Sequence, residues 1–203
     1  VLVRVRLGLD DAALGWTLAA YGAGSMLAAL LLPRLIETRL SDRTAMLGGG
    51  AMLATGMAAG ALVGHWPMLL ALWFWLGIGN GLVLTPAGRL LRRSAHPGDR
   101  PALFAAQFAL SHACWLLTYP LAGWLGATAG VTAGFAACAV LAALGAALAA
   151  RFWPALDPEH IAHDHHGLGP GHPHLAAGPP HGHAYIIDDL HPRWPQAPQR
   201  AGR

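Results

Sequence analysis

The stretch Pro67–Gly88, PMLLALWFWLGIGNGLVLTPAG, runs 22 residues without a single Asp, Glu, Lys or Arg. At about 1.5 Å of rise per residue, roughly 20 such residues cross a hydrocarbon core about 30 Å thick. The segment therefore predicts a membrane-spanning helix. Four further stretches share its character: Ala12–Pro33, Thr44–Gly64, Ala102–Thr128 and Val131–Ala150. A soluble protein can bury one helix of this kind, but not five in succession. A membrane β-barrel would instead alternate apolar and polar residues in segments of about 10. The reading is an all-α, polytopic helical membrane protein with helices at about 12–33, 44–64, 67–88, 102–128 and 131–150. A lead segment, 1–11, precedes this 12–153 domain, and a tail, 154–203, follows it.

Composition agrees. Of 203 residues, 55% are hydrophobic and 11% charged, against about 25% charged in an ordinary soluble domain. The net charge of +3 rests on 13 basic residues, all Arg. They cluster at the ends of apolar runs and form no continuous stripe of the kind that neutralises phosphates along a nucleic acid, so a nucleic-acid partner is excluded. Cys114 and Cys138 lie inside apolar runs and offer neither a disulfide framework nor a CxxC pair.

The connections fix an orientation. Arg34, Arg39 and Arg43 separate the first two helices, Arg89, Arg92, Arg93 and Arg100 separate the third and fourth, and Arg151 closes the fifth. The alternate turns, Gly64–Pro67 and Thr128–Gly130, carry no Arg. The positive-inside rule puts the Arg-rich connections and the tail in the cytoplasm and the N-terminus outside. Trp16, Trp66, Trp124 and Trp153 sit near helix ends, where an indole buries its ring and keeps its N–H wet. The opening residues show no secretory signal and begin with Val. Five helices with an external start predict at least one more spanning segment upstream, so the chain reads as the C-terminal part of a longer protein.

Polar residues inside the spans come next. On the fourth helix, Gln107, Ser111, Cys114 and Thr118 share one stripe, and His112 and Tyr119 a second, with Trp115 between them. Nearly half the circumference is thereby unsuited to lipid and is expected to face protein or a water-filled cavity. His112 is the ionisable residue well inside a span. It is either a functional group or a neutral ring bonded to a neighbouring helix. Asn80, flanked by Gly79 and Gly81, is a second polar candidate. Gly56, Gly60 and Gly64 fall on one predicted helix face, and Gly126, Gly130 and Gly134 span the last outer turn. This spacing suits close helix packing and equally the rocking seam of a transporter. Pro86 and Pro120 are expected to break their helices.

The tail is different matter. Nine of 15 prolines and nine of 12 histidines fall in the last 50 residues, a composition that predicts disorder over most of the segment. Ala184–Leu190 is the expected exception, an apolar cluster able to dock. His160, His163, His165, His166, His172, His174, His181, His183 and His191 form a candidate set of ligands for Ni, Co, Zn or Cu, with Asp164, Asp188 and Asp189 as added oxygen donors. No spacing matches a fixed zinc-finger site. The competing reading is a solvated spacer of biased composition.

Leu14-Gly15-Trp16, Tyr21-Gly22-Ala23-Gly24-Ser25, Leu32-Pro33-Arg34-Leu35 and Ser41-Asp42-Arg43 resemble a major facilitator superfamily (MFS) transporter. Ser41-Asp42-Arg43 is similar to the family's short acidic-basic loop between the second and third helices of each half. It lacks the usual Gly before the Asp and most of the basic residues after it. Gly77-Ile78-Gly79-Asn80-Gly81 and Tyr119-Pro120-Leu121-Ala122-Gly123-Trp124 resemble the family's penultimate helices. The resemblance implies helices eight to twelve of twelve, forming the C-terminal bundle of a carrier with alternating access, its N-terminal half being the missing partner. The His-rich tail is similar to that of nickel-resistance permeases of this superfamily.

The expected function is transmembrane transport of a small solute or ion, in the efflux direction and with a divalent metal such as nickel as candidate cargo. The expected location is a bacterial inner membrane. The transport path is expected at Gln107, Ser111, His112, Tyr119 and Asn80. The alternative is a non-transporting sensor or metal-binding scaffold acting through the tail. No catalytic set is expected, because no nucleophile–base arrangement or multi-helix His array occurs. No cofactor is required, and a divalent metal (Ni, Co or Zn) is the candidate ligand of the tail.

Overall fold

A computed structural model describes residues 3, 4, 7–163, 165, 168, 169, 171–175 and 181–195, except for the side chains of residues 37, 38 and 181. Five helices follow one another: α1 (Asp11–Thr38), α2 (Asp42–Gly60), α3 (Trp66–Arg93), α4 (Arg100–Thr128) and α5 (Val131–Phe152). The tail adds two short strands, β1 (His160–His163) and β2 (His181–Ala184), and a 3-10 turn at Pro173–Leu175. The chain divides into two compact units, Val1–Gly88 with Gln107–Ala155, and Arg89–Ala106 with Leu156–Arg203.

The helices begin and end for local reasons. Asp10 caps α1 by accepting the Ala13 N–H at 2.9 Å, and Ser41 caps α2 by accepting the Thr44 N–H at 3.1 Å, as short polar side chains do at helix starts. Gly130 opens α5 at φ +87°, a left-handed conformation that costs glycine least and lets α4 turn directly into α5. Helices α1, α3 and α5 run past their apolar limits into charged residues, as α1 does through Pro33 to Thr38. Pro86 and Pro120 lie inside continuous helices, so the expected breaks do not occur. A proline removes one N–H from the ladder, and the turns around these two hold without it.

Among the described residues, four helices are long and apolar enough to cross a membrane: Asp11–Ile36, Trp66–Arg93, Arg100–Thr128 and Val131–Phe152. The shorter, glycine-rich α2 has 19 residues, starts on Asp42 and Arg43, and is not among them.

In the first unit, glycines set how closely helices approach. A Cβ at Gly77 would strike the Tyr21 carbonyl, and one at Gly24 the Phe74 carbonyl, so α1 and α3 meet backbone to backbone. Such approach supplies the van der Waals contact that holds helices together in lipid. On α2, Gly49 and Gly56 face α3, whereas Gly50 and Gly60 face Ala146 and Phe135 of α5. The predicted stripe Gly56-Gly60-Gly64 is therefore not one seam. Its first two members serve different neighbours, because 40° of rotation per four residues carries the stripe from one neighbour to the next. Gly64 lies beyond the helix with nothing close to it. Trp75 donates to the Met52 carbonyl at 2.9 Å, and Arg43 donates to the Ala150 and Trp153 carbonyls at 3.0 and 3.2 Å. The latter pair puts a cation on the carbonyl end of α5, where the helix dipole favours it.

The second unit joins the end of α3 and the start of α4 to the tail. Arg89 pairs with Glu159 at 2.8 Å, and Arg93 pairs with Asp157. The Ile187 N–H donates to the Arg93 carbonyl at 2.9 Å, and His96 donates to Asp189 at 2.8 Å. Tyr185 and Ile187 are buried, so the cluster Ala184–Leu190 does dock, on the α3–α4 connection. Strands β1 and β2 pair antiparallel, with Ile161 opposite His183 and His163 opposite His181. Among the described residues of the tail, the ion pairs to Arg89 and Arg93 and the buried Tyr185 are contacts that hold it to the α3–α4 connection.

Candidate functional site

Two groups of predicted residues can be compared in position. The first lies on α4, which buries none of its residues. Ser111 Oγ and His112 Nδ1 both donate to the Phe108 carbonyl, at 2.9 and 2.8 Å. The partner of His112 is thus its own helix rather than a neighbouring one, which leaves Nε2 uncommitted by that bond. Its ring lies 3.8 Å from Phe108 and 4.5 Å from Trp115 between centroids, and Trp115 stacks on Tyr119 at 6.1 Å. A ladder of four rings results, because residues three and four apart share a helix face. Gln107, Ser111 and His112 are half-buried and Tyr119 is exposed. Asn80 is half-buried between the fully packed Gly79 and Gly81 of α3. The apolar cavity of about 250 Å3 between Met57, Trp73, Gly126 and Phe135 is lined by none of the five predicted path residues.

The second group is in the tail. His163, His174, His183 and His191 each offer one ring nitrogen, and these four atoms lie within 4.8 Å of one another. Three elements bring them together. In the ribbon, His183 opposes Ile161, and side chains alternate across a strand, so His163 and His183 share a face. The 3-10 turn supplies His174. A turn closed by Asp188 supplies His191, whose side chain is 2% exposed.

Hydrogen bonds assign the tautomers. His191 Nδ1 lies 2.8 Å from Asp188 Oδ1, a carboxylate that only accepts. His163 Nδ1 faces the Ile161 carbonyl at 2.8 Å and His183 Nδ1 the Ala184 carbonyl at 2.9 Å. Each of these Nδ1 atoms therefore carries the proton, and in the neutral ring each Nε2 is a bare lone pair. Yet His163 Nε2 is 3.0 Å from His191 Nε2, and His183 Nε2 is 3.3 Å from His174 Nε2. At the first of these contacts two acceptor nitrogens meet, and a proton or a metal cation between them makes it favourable; at the second, the His174 ring in its Nε2–H form donates to His183. Four nitrogens bound tetrahedrally at about 2.0–2.1 Å stand about 3.4 Å apart, close to the two observed separations. The carboxylate–imidazole pairing of Asp188 with His191 is the arrangement that orients metal-binding histidines.

Around the centre, Tyr185 packs edge-on to His163 and His191 at 4.9 and 4.8 Å and donates its hydroxyl to the Arg193 carbonyl at 2.8 Å. Burial, helped by the Asp188 charge, pushes the Tyr185 phenol above its ordinary value. Burial alone would raise the Asp188 carboxyl as well. The hydrogen bonds from the His191 ring and backbone and from Leu190 outweigh it and hold Asp188 below its ordinary value.

The other predicted ligands divide. His165 Nε2 lies 3.1 Å from His163 Nε2, at the edge of the cluster. His172 accepts the His174 N–H at 3.2 Å and so shapes the turn. His160 is exposed and alternates to the face opposite His163. His166, Asp164 and the His181 side chain lie outside the described residues. Asp188, expected as an oxygen donor, accepts from the His191 ring. Asp189 is taken by His96. Sequence reasoning missed Tyr185 and the anchoring role of Arg93. The motif AYIIDDLH, with Asp three residues before His191, was the available signal.

A profile of the Major Facilitator Superfamily matches residues 2–182. No curated protein and no solved structure matches the chain. Apolar helices of spanning length together with a match over most of the chain make the protein a membrane transporter of the Major Facilitator Superfamily.

Proposed function

We propose that the chain forms the C-terminal helical bundle of an MFS secondary carrier that exports a divalent first-row metal such as nickel, cobalt or zinc, with the tail as its cytoplasmic metal-binding segment. The observation that carries the metal is the convergence of His163, His174, His183 and His191 with three tautomers held by oxygen acceptors. Imidazole nitrogen suits these cations, whereas Mg and Ca take oxygen. On this reading the tail raises the local ion concentration beside the inward-open carrier. The ladder face of α4 lines the central cavity, where His112 Nε2 binds the ion or passes a proton. The carrier sits in a bacterial inner membrane, with the Arg-rich connections and tail in the cytoplasm.

Deleting residues 157–203 in the whole protein tests the metal role. Tolerance of cells to nickel, cobalt or zinc should fall while the protein remains in the membrane; full tolerance to all three would overturn it. A second reading, a metal sensor that does not transport, draws on one observation: all four ligand histidines belong to the second compact unit. Metal flux in vesicles reconstituted with the whole protein separates the two.

A further inference from the structure

We propose that the second unit carries a binding site for a phosphate ester, occupied by the headgroup of an anionic phospholipid. A cavity of about 290 Å3 is lined by Arg89, Arg92, Arg93 and Arg100, with Glu159 and Tyr185 completing its wall. Four arginines and one carboxylate residue thus line one cavity, where the Arg100 Nε donates to the Ala95 carbonyl at 3.3 Å. Arg89 is paired with that Glu159, and Arg93 with Asp157, but among the described residues Arg92 and Arg100 have no carboxylate partner. Arg93 adds a second observation. Its Nε is buried and finds no acceptor, a rare condition that points to an oxygen supplied from elsewhere.

The chemistry selects the ligand. Guanidinium groups match phosphate oxygens in planar, paired hydrogen bonds, and a cluster of them binds a phosphate better than it binds a lone carboxylate. Position selects the source. Arg92 and Arg93 lie in the last turn of one candidate span, Trp66–Arg93, with Arg89 just before it, and Arg100 opens the next, Arg100–Thr128. These residues therefore stand at headgroup depth, where basic clusters next to spanning helices attract anionic lipid. The inference uses none of the tail histidines and does not depend on the metal reading.

The whole protein, purified in neutral detergent, would be titrated with phosphatidylglycerol, phosphatidylcholine and free glycerol phosphate, and binding read by native mass spectrometry. Phosphatidylglycerol should be retained and phosphatidylcholine should not. The double variant Arg92→Gln/Arg100→Gln should bind phosphatidylglycerol about 30-fold more weakly, at the worth of two interfacial arginines. The control Arg39→Gln/Arg151→Gln removes equal charge from other connections and should bind as the wild type does. Retention of glycerol phosphate with equal avidity would keep the phosphate site and assign it to a soluble ester. Equal loss of binding in the control, or unchanged binding in Arg92→Gln/Arg100→Gln, would overturn the site.

Discussion

His112 and His163 are the same side chain in two opposite settings. On α4, His112 has one ring nitrogen bonded to its own helix and the ring flanked by Phe108 and Trp115. Among the described residues, no other histidine or carboxylate bonds or stacks with it. In the tail, the Nδ1 of His163 is likewise tied to a nearby carbonyl, but its Nε2 meets two further imidazoles, those of His165 and His191. The difference teaches what each can do. One imidazole with a single open nitrogen can exchange a proton or hold a ligand in passing. Four with converging nitrogens offer the donor set of a tetrahedral cation site.

Removing two members of the tail cluster should have the largest effect. His163→Ala/His183→Ala in the whole protein should weaken zinc or nickel binding more than about 100-fold by calorimetry, since each structural ligand carries a large share of the binding free energy. A loss below ten-fold would mean that the neighbouring His165 or the tail at large does the binding. On the other side of the comparison, His112→Ala should leave tail affinity untouched. It should lower transport in vesicles about ten-fold, the worth of one charge-assisted hydrogen bond. Equal transport would reduce His112 to a packing residue.

Asp188→Asn tests whether the cluster is oriented or merely crowded. It removes the carboxylate behind His191 and should reduce affinity about ten-fold, at the lower end for outer-shell partners. The same carboxylate gives a pH signature. Because its folded-state value is lowered, its stabilising contribution is complete above the ordinary carboxylate range and is lost as pH falls through the lowered value. The near-ultraviolet circular dichroism of Tyr185 and Trp194 should therefore weaken in acid, and that part of the pH dependence should be absent in Asp188→Asn. Tyr185 acts at the other end. Its raised value means that its contribution is complete below about pH 10 and is lost as pH rises past it. The smallest effect belongs to His160→Ala, on the outer face of the ribbon, which should change affinity less than about two-fold. A larger change would put the opposite face of the ribbon into the site.

The two regions were also unequally legible. Period and length locate the helices, and residues three and four apart on α4 bring Phe108, His112, Trp115 and Tyr119 into ring contact along one face. Charge-free runs understated the helix ends, because α1 runs on past Arg34 to Thr38 and α3 runs on to Arg93, where side chains can reach water. The stripe of Gly56 and Gly60 was read as one seam because spacing gives a face but not how many neighbours share it. In the tail, composition marked nine histidines as equivalents. Which four converge depends on the register that sets Ile161 against His183 and on the turn at Asp188, and pairing between distant segments leaves no local period in the sequence.

X-ray absorption of the purified whole protein, loaded with one equivalent of zinc, tests the four-imidazole centre most directly. The account predicts one tightly held ion per chain, with four imidazole nitrogens at about 2.0–2.1 Å and the shell lost in His163→Ala/His183→Ala. A six-coordinate shell dominated by oxygen, or no ion retained, would contradict it.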